Sequence, residues 1–207
     1  RETHGISVNP GRVFINNGTS PFFLMLYQLL LEPGDEVLLP LPYYPPYFAN
    51  AAIARVKPVF YRITDDGRID FDSFVAHFNP QKTKLVIFNS PGNPLGNVIT
   101  KEELERALKI IDGRAAVISD EIYSGMVYGN DFCPILSVCD PEQSIVLNGF
   151  SKIHHMYTRR LGYAIVPEVL REPMLRFQRH NVVCVDPVTQ FAGLISLQNK
   201  KQLIDEE

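Results

Sequence analysis

The sequence is poor in cysteine, and its few cysteines are not arranged for structural chemistry. Cys133, Cys139 and Cys184 are an odd number among 207 residues and lack the paired Cys-x-x-Cys spacing of a zinc site. This argues against a disulfide-stapled scaffold and predicts ordinary reduced thiols of a cytoplasmic protein. The five histidines, His4 among them, show no metal-ligand spacing either, so no metal is expected.

The chain also lacks a strong charge of either sign and any long apolar run. Its formal net charge is −3 and no lysine–arginine cluster dominates a segment, so nucleic acid and anionic membranes are not expected partners. The longest apolar stretch, residues 22–31, is interrupted by Gln28 and falls short of the about 20 residues that span a bilayer. No signal peptide is visible. The composition is more typical of a protein that acts on small molecules than of one that binds nucleic acid or membranes.

The sequence does contain a regular alternation of short β-rich runs with helical patterns. This alternation predicts a parallel sheet that is covered by helices on both faces. The predicted strands are 12–16, 36–40, 58–62, 84–89, 115–119, 144–147 and 162–166, and the predicted helices are 20–31, 47–55, 71–78, 101–111, 169–179 and 188–198. With no repeat or long linker, residues 1–207 are predicted to form one domain.

Lys152 is a candidate reactive lysine. It follows the predicted strand 144–147 and ends the segment Asn-Gly-Phe-Ser-Lys. The amine of a lysine at a strand end can form a Schiff base with an aldehyde. Eight residues later, Arg160 offers a guanidinium fork that suits a phosphate. Pyridoxal phosphate is a cofactor that carries both groups. The segment alone is equally compatible with a surface lysine and a solvated or ion-paired arginine.

Three more segments are chemically suggestive, and each has a plain alternative. Asn93-Pro94 could be a ligand-binding turn or an ordinary one. Asp120, three residues before Tyr123 at the end of a predicted strand, could face a ligand or merely cap the following segment. The run 18–20, Gly-Thr-Ser, lies between a strand and a helix, where it could bind an anion or serve only as an N-cap.

Taken in order, these segments resemble those of the class I/II aminotransferases, which are pyridoxal-phosphate enzymes of fold type I. The large domain of that family carries an Asn-Pro-x-Gly turn, an Asp-x-x-Tyr strand end and a Ser-Lys-x7-Arg-x-Gly segment. The resemblance also covers 17–20 and the Pro-Tyr-Tyr-Pro run 42–45, so it extends from about residue 10 to the C-terminal end. It implies a three-layer α/β/α fold with a mixed, mostly parallel seven-stranded sheet.

The resemblance also implies a role for each motif. Lys152 becomes the Schiff-base residue and general acid/base, and Asp120 faces the ring nitrogen of pyridoxal 5'-phosphate. Tyr123 and Asn93 become donors to the phenolic oxygen of the cofactor. The phosphate is held by Gly18, Thr19, Ser20, Ser151 and Arg160.

Tyr44 matches the aromatic residue that stacks on the pyridine face in such relatives. Tyr43 and Tyr47 compete for that role, and a packed turn of tyrosines and prolines is the plain alternative. Two departures predict weaker cofactor binding. Gly149 stands where many relatives have a phosphate-binding Ser or Thr, and Thr158 stands where Gly is usual.

The predicted function is therefore that of an aminotransferase, which moves an amino group between an amino acid and a 2-oxo acid. A C–S β-lyase of the same fold, or a catalytically incomplete cofactor-binding remnant, is the alternative. The resemblance also implies a homodimer. Because the chain is shorter than whole enzymes of this kind, we expect it to lack their N-terminal segment and small C-terminal domain.

Overall fold

The computed structural model describes residues 6–129 and 132–199, so the ends of the predicted domain and His4 lie outside the described residues. The strands are β1 (Val13–Asn16), β2 (Glu36–Leu41), β3 (Lys57–Arg62), β4 (Thr83–Asn89), β5 (Ala116–Asp120), β6 (Ser144–Gly149) and β7 (Gly162–Ile165). The helices are α1 (Ser20–Leu30), α2 (Pro45–Ala54), α3 (Phe71–His77), α4 (Lys101–Ile111), α5 (Arg171–Asn181) and α6 (Pro187–Gln198). Each predicted strand and helix is present.

The seven strands form one sheet in the order β1-β7-β6-β5-β4-β2-β3. All neighbouring strands are parallel except β7, which is antiparallel to both β1 and β6. The predicted mixed, mostly parallel sheet is therefore confirmed. Since β7 runs against its neighbours, its first residue lies at the sheet edge where β1 and β6 end.

Two hydrophobic cores cover the two faces of the sheet, which is why strand interiors read as nearly continuous apolar runs. One core packs α1, α2 and α5 on the sheet and includes the fully buried Phe22, Phe23 and Leu26. The other packs α3 and α4 on the opposite face and includes Phe74 and Phe88. The predicted three-layer arrangement follows from this division.

Local sequence signals explain where several helices begin. At α4, Thr100 accepts from the Glu103 amide and the Glu103 carboxylate accepts from the Thr100 amide, forming a capping box. The predicted start of α2 is wrong by two residues, because Pro45 and Pro46 occupy a first turn that needs no amide donors. The predicted start of α5 is also two residues early, because 168–170 form a 3₁₀ turn first.

No helix within the described ranges is both long and apolar enough to cross a bilayer.

A close backbone approach joins the start of β7 to the loop that follows β1. Gly162 pairs with Asn16 on one side and with Gly149 on the other. A Cβ atom built on Gly162 would lie 2.5 Å from the Gly18 carbonyl carbon and 2.7 Å from the Thr19 nitrogen. Any side chain at position 162 would therefore push the two segments apart.

We expect Gly162→Ala to destabilise the protein by about 1–3 kcal/mol, because the neighbouring atoms are backbone and must shift to admit a methyl group. Urea unfolding of the two proteins measures this difference. The matched control is Gly11→Ala, whose Cβ would meet its nearest neighbours at an ordinary 3.4 Å. Equal stability of both variants would contradict the steric argument.

Candidate active site

One pocket opens at the sheet edge where β4, β5 and β6 end and β7 begins. Parallel strands bring their carboxyl ends to this edge, and Asn89 and Asp120 are directly paired there. Nine of the ten residues predicted for the site line the pocket, and Gly18 lies against one of them. The lining residues are Thr19, Ser20, Tyr44, Tyr47, Asn89, Asn93, Asp120, Ile122, Tyr123, Ser151, Lys152, Tyr157 and Arg160.

The run 18–20 forms a polar cradle at the start of α1. Gly18 has φ 89°, a left-handed conformation that favours glycine, and a Cβ atom there would overlap the Arg160 guanidinium. Thr19 is the N-cap residue, yet its side chain makes no capping hydrogen bond. The N-cap alternative therefore does not account for the Thr19 hydroxyl. Helix-start amides, two hydroxyls and a cation together suit an anion.

Arg160 reaches the cradle from a tight turn before β7. Its backbone has φ 55°, which is unusual for a residue with a side chain. Its Nη1 atom donates to the Tyr157 carbonyl oxygen at 3.0 Å, while the guanidinium lies against Gly18. The strained backbone conformation thus accompanies a guanidinium that is directed at the cradle.

Asp120 is a buried carboxylate at the carboxyl end of β5. Its Oδ2 atom accepts from the Tyr47 hydroxyl at 2.7 Å, and its Oδ1 atom accepts from the Ile122 amide at 3.3 Å. Burial raises the pKa of Asp120 to about 6, although Tyr47, the Ile122 amide and the charge of Lys152 all act to lower it. A cation in the pocket would stabilise the ionised form.

Tyr123 and Asn93 approach each other on the wall beside Asp120. Asn93 Nδ2 donates to Tyr123 Oη at 3.4 Å. The turn that carries Asn93 is fastened by Asn89, whose Oδ1 accepts from the Asn93 amide at 2.7 Å and whose Nδ2 donates to the Asp120 carbonyl oxygen at 3.1 Å. Both readings of Asn93 are compatible, since it belongs to a turn and still presents an amide to the pocket.

Lys152 lies on the loop between β6 and β7, three residues beyond the last residue of β6. Its Nζ atom is 4.9 Å from the centroid of the Tyr123 ring, and its charge acts to lower the pKa of Asp120. A primary amine is thus close to both the carboxylate and the phenol. The alternative of a lysine isolated on the surface does not fit this position.

The three neighbouring tyrosines occupy different environments. Tyr44 lines the pocket, and its hydroxyl is 3.4 Å from Ser20 Oγ. Tyr43 instead stacks on Phe60 with ring centroids 5.3 Å apart. Tyr47 is fully buried and bonded to Asp120. Tyr44 is therefore the tyrosine of the three whose ring is best placed to contact a planar ligand, and its stacking role stays a prediction.

The two departures from the family pattern have structural explanations. A Cβ on Gly149 would lie 2.9 Å from the Leu161 carbonyl oxygen and 3.0 Å from Gly162 Cα, so this position has no room for a Ser or Thr. Among the described residues of this loop, the left-handed conformations fall on His155 and Arg160, not on Thr158. Neither departure therefore requires a distorted pocket.

The sequence did not reveal every residue around the pocket. Asn89, Ile122 and Tyr157 line it without having been predicted, and Tyr47 was considered only as a stacking residue. Asn89 could have been suggested by its place at a strand end, but the Tyr47–Asp120 contact joins residues 73 positions apart. No cluster of metal-binding side chains occurs within the part of the chain that the structure describes.

This donor set fits pyridoxal phosphate chemically. An anionic head group matches the cradle and Arg160, a basic ring nitrogen matches the Asp120 carboxylate, and an aldehyde matches the Lys152 amine. The phenol of Tyr123 and the amide of Asn93 add donors for a ring oxygen. Four different chemical demands are thus met around one pocket.

Comparisons with known proteins show that the chain resembles aminotransferases in sequence and in fold. The chain is 33% identical over 201 residues to an aspartate aminotransferase of Thermotoga maritima, covering 95% of this chain and 53% of that protein. The solved structure of an aromatic aminotransferase from Pyrococcus horikoshii superposes with a TM-score of 0.92 at 31% identity, covering 99% of this chain and 57% of that one.

An alanine aminotransferase from Pyrococcus furiosus gives a TM-score of 0.91 at 31% identity, covering 99% of this chain and 54% of that one. The chain thus spans about half the length of the curated relatives it matches. The family model described as aminotransferase class I and II matches residues 1–207. The chain belongs to the class I and II aminotransferase family.

Proposed function

We propose that residues 1–207 form the cofactor-binding large domain of a pyridoxal-phosphate-dependent aminotransferase. The observation that carries the proposal is the convergence of Lys152, Asp120 and the cradle at 18–20 around one pocket. Family membership supports the same cofactor, because class I and II aminotransferases depend on pyridoxal phosphate. Fold alone would be a weak argument for function, whereas these side chains have the chemistry that the cofactor needs.

When bound, the cofactor supplies an electron sink for the carbanion that forms at the substrate α-carbon. Gly18, Thr19, Ser20, Ser151 and Arg160 would hold its phosphate. Asp120 would keep the ring nitrogen protonated, and Asn93 and Tyr123 would donate to the phenolic oxygen. Tyr44 would cover one face of the ring.

Lys152 has two tasks in this proposal. Its Nζ amine would hold the cofactor through the aldehyde, and the free amine would accept the proton from the substrate α-carbon. Both tasks need a neutral amine at some stage.

The proposed substrates are an amino acid and a 2-oxo acid, which suit a transaminase. The relatives compared above are named aspartate, aromatic and alanine aminotransferases, so the names favour transamination over β-elimination. We further propose a cytoplasmic homodimer. Three free cysteines support a reducing compartment, and exposed apolar side chains on α6, including Phe191 and Leu194, support a subunit contact.

The first prediction is that borohydride reduction in the presence of pyridoxal phosphate labels Lys152. Among the lysines that the structure describes, Lys152 is the one that lines the pocket with the carboxylate and the cradle, so its amine should trap the aldehyde before surface lysines do. Peptide mapping by mass spectrometry identifies the labelled residue, and Lys152→Ala should reduce the label to background.

The matched control for this labelling is Lys101→Ala, which removes an exposed lysine that pairs with Glu105 at 3.7 Å. This variant should be labelled like the unmodified protein. A label that persists in folded Lys152→Ala, or that maps to another lysine, would contradict the assignment.

The second prediction concerns the pH dependence of cofactor binding. Burial raises the pKa of Asp120 to about 6, so below that pH the carboxyl is neutral and must lose a proton to pair with a cationic ring. The affinity for pyridoxal phosphate should therefore fall about tenfold for each pH unit below about 6. Asp120→Asn should lack this part of the pH dependence. Fluorescence titration with pyridoxal phosphate at several pH values measures it. The phosphate titrates in both proteins, so its contribution cancels in the comparison.

Stability of the cofactor-free protein gives an independent check on the same group. Because the folded pKa of about 6 lies above the ordinary value of 3.8, the folded state binds more protons than the unfolded state in this interval. The free energy of unfolding should consequently decrease as pH rises from about 4 to about 6, and Asp120→Asn should remove this part of the decrease. Identical pH profiles for both proteins would refute the proposed protonation of Asp120.

A further inference from the structure

Tyr47 makes the shortest contact with the carboxylate that faces the pocket. It lies in the first turn of α2, whereas Asp120 ends β5, and the two side chains meet at 2.7 Å inside the protein. Tyr47 is fully buried and Asp120 is only 3% exposed. A bond between a phenol and a buried carboxylate is charge-assisted and stronger than a neutral one.

The surroundings of Tyr47 hold its hydroxyl in one position. Tyr27 Oη donates to the Tyr47 carbonyl oxygen at 3.2 Å, which ties the first turn of α2 to α1. The Phe23 ring meets the Tyr47 ring edge-on at 4.8 Å, and the Tyr44 ring does so at 5.5 Å. The phenol is therefore held by α1 and by the N-cap residue of α2, so the protein itself fixes its direction.

The groups around Tyr47 and Asp120 favour a neutral phenol beside an ionised carboxylate. Burial, followed by the charge of Asp120, holds the pKa of Tyr47 well above its usual range, so Tyr47 remains a donor. Lys152 is the cation that stabilises the Asp120 charge. Burial, together with that charge, raises the pKa of the neighbouring Glu121 carboxyl. The titratable groups beside Tyr47 also include the phenols of Tyr27 and Tyr61, which remain neutral because burial raises their pKa values. The Tyr44 phenol belongs to the ring that meets Tyr47 edge-on.

Each carboxylate oxygen has two lone-pair directions. Tyr47 occupies one on Oδ2 and the Ile122 amide occupies one on Oδ1, at a longer 3.3 Å. One direction on each oxygen is left for a further donor. Without the Tyr47 hydroxyl, Asp120 Oδ2 would lose its hydrogen-bond donor. The buried carboxyl would then retain its proton at higher pH.

We propose that Tyr47 is a positioning residue that keeps Asp120 ionised and oriented for the nitrogen of the cofactor ring. The proposal rests on the function proposed above and assigns Tyr47 to the Asp120 carboxylate, not to the face of the ring. A purely structural role would make Tyr47 a core aromatic whose hydroxyl happens to find an acceptor. The two roles differ in what they do to the titration of Asp120.

The test is Tyr47→Phe, which removes the hydroxyl and keeps the ring. The matched control is Tyr61→Phe, because Tyr61 is also fully buried and donates at 3.0 Å to the Ile87 carbonyl oxygen instead of to a carboxylate. Carbon-13 NMR of labelled aspartate in the cofactor-free protein follows the titration of Asp120. We expect Tyr47→Phe to raise the pKa of Asp120 and Tyr61→Phe to leave it unchanged.

Cofactor affinity provides the second readout. At pH 7, Tyr47→Phe should weaken binding of pyridoxal phosphate about tenfold to a hundredfold, as expected for loss of a hydrogen bond to a charged group. The midpoint of the pH dependence should move upward, so raising the pH should recover part of the loss. In an Asp120→Asn background, the added Tyr47→Phe change should have a much smaller effect, because Tyr47 acts through the carboxylate.

These measurements separate the possible failures. Failure of the unmodified protein to bind pyridoxal phosphate would refute the proposed function, while the NMR titration would still test the Tyr47–Asp120 link. Equal titration of Asp120 in Tyr47→Phe and Tyr61→Phe would overturn the positioning role. If Tyr47→Phe does not fold, 3-fluorotyrosine at position 47 replaces it. This more acidic phenol should lower the pKa of Asp120, and an unchanged titration would likewise overturn the proposal.

Discussion

The insertion of the antiparallel strand β7 between β1 and β6 is the constraint on which the site depends. Gly162 opposes both Asn16 and Gly149, so the end of β1, the end of β6 and the start of β7 meet at one edge. The cradle after β1 and the loop after β6 that carries Lys152 are thereby held in fixed positions relative to each other. Close backbone packing at this point leaves no room for side chains, which explains the glycines at 149 and 162.

Asp120 and Glu121 are successive buried carboxylates at the end of β5, and their hydrogen-bond partners give them different roles. Burial raises the pKa of Asp120 to about 6 and that of Glu121 to about 7. Glu121 Oε1 accepts from Ser119 at 3.0 Å and from the Ile135 amide at 2.9 Å, so it fastens a loop to the sheet. Asp120 instead lines the pocket. A cationic ligand would offset its desolvation, which couples folding at this edge to ligand binding.

The alternation of apolar runs with turn residues was sufficient to predict the sheet, because parallel strands that are buried on both faces need such runs. The motifs also placed Lys152, Asp120 and Asn93 at strand ends or turns that share an edge. The partner of Asp120 was not predictable, since its contact with Tyr47 depends on how α2 packs. The effect of Thr158 on cofactor binding stays a prediction, although the left-handed backbone conformation in this loop lies at His155 and Arg160 and not at Thr158.

The loop that carries Lys152 combines an anchored main chain with a long, rotatable side chain. The Phe150 amide donates to the Leu161 carbonyl oxygen at 3.0 Å, and the Met156 amide donates to the Phe150 carbonyl oxygen at 3.0 Å. Phe150, Met156 and Leu161 also pack with Val185 in a small hydrophobic cluster. The main chain around Lys152 is therefore anchored at both ends, while its long side chain retains several rotatable bonds. The proposed role of Lys152 needs this combination, because only the side chain then has to move.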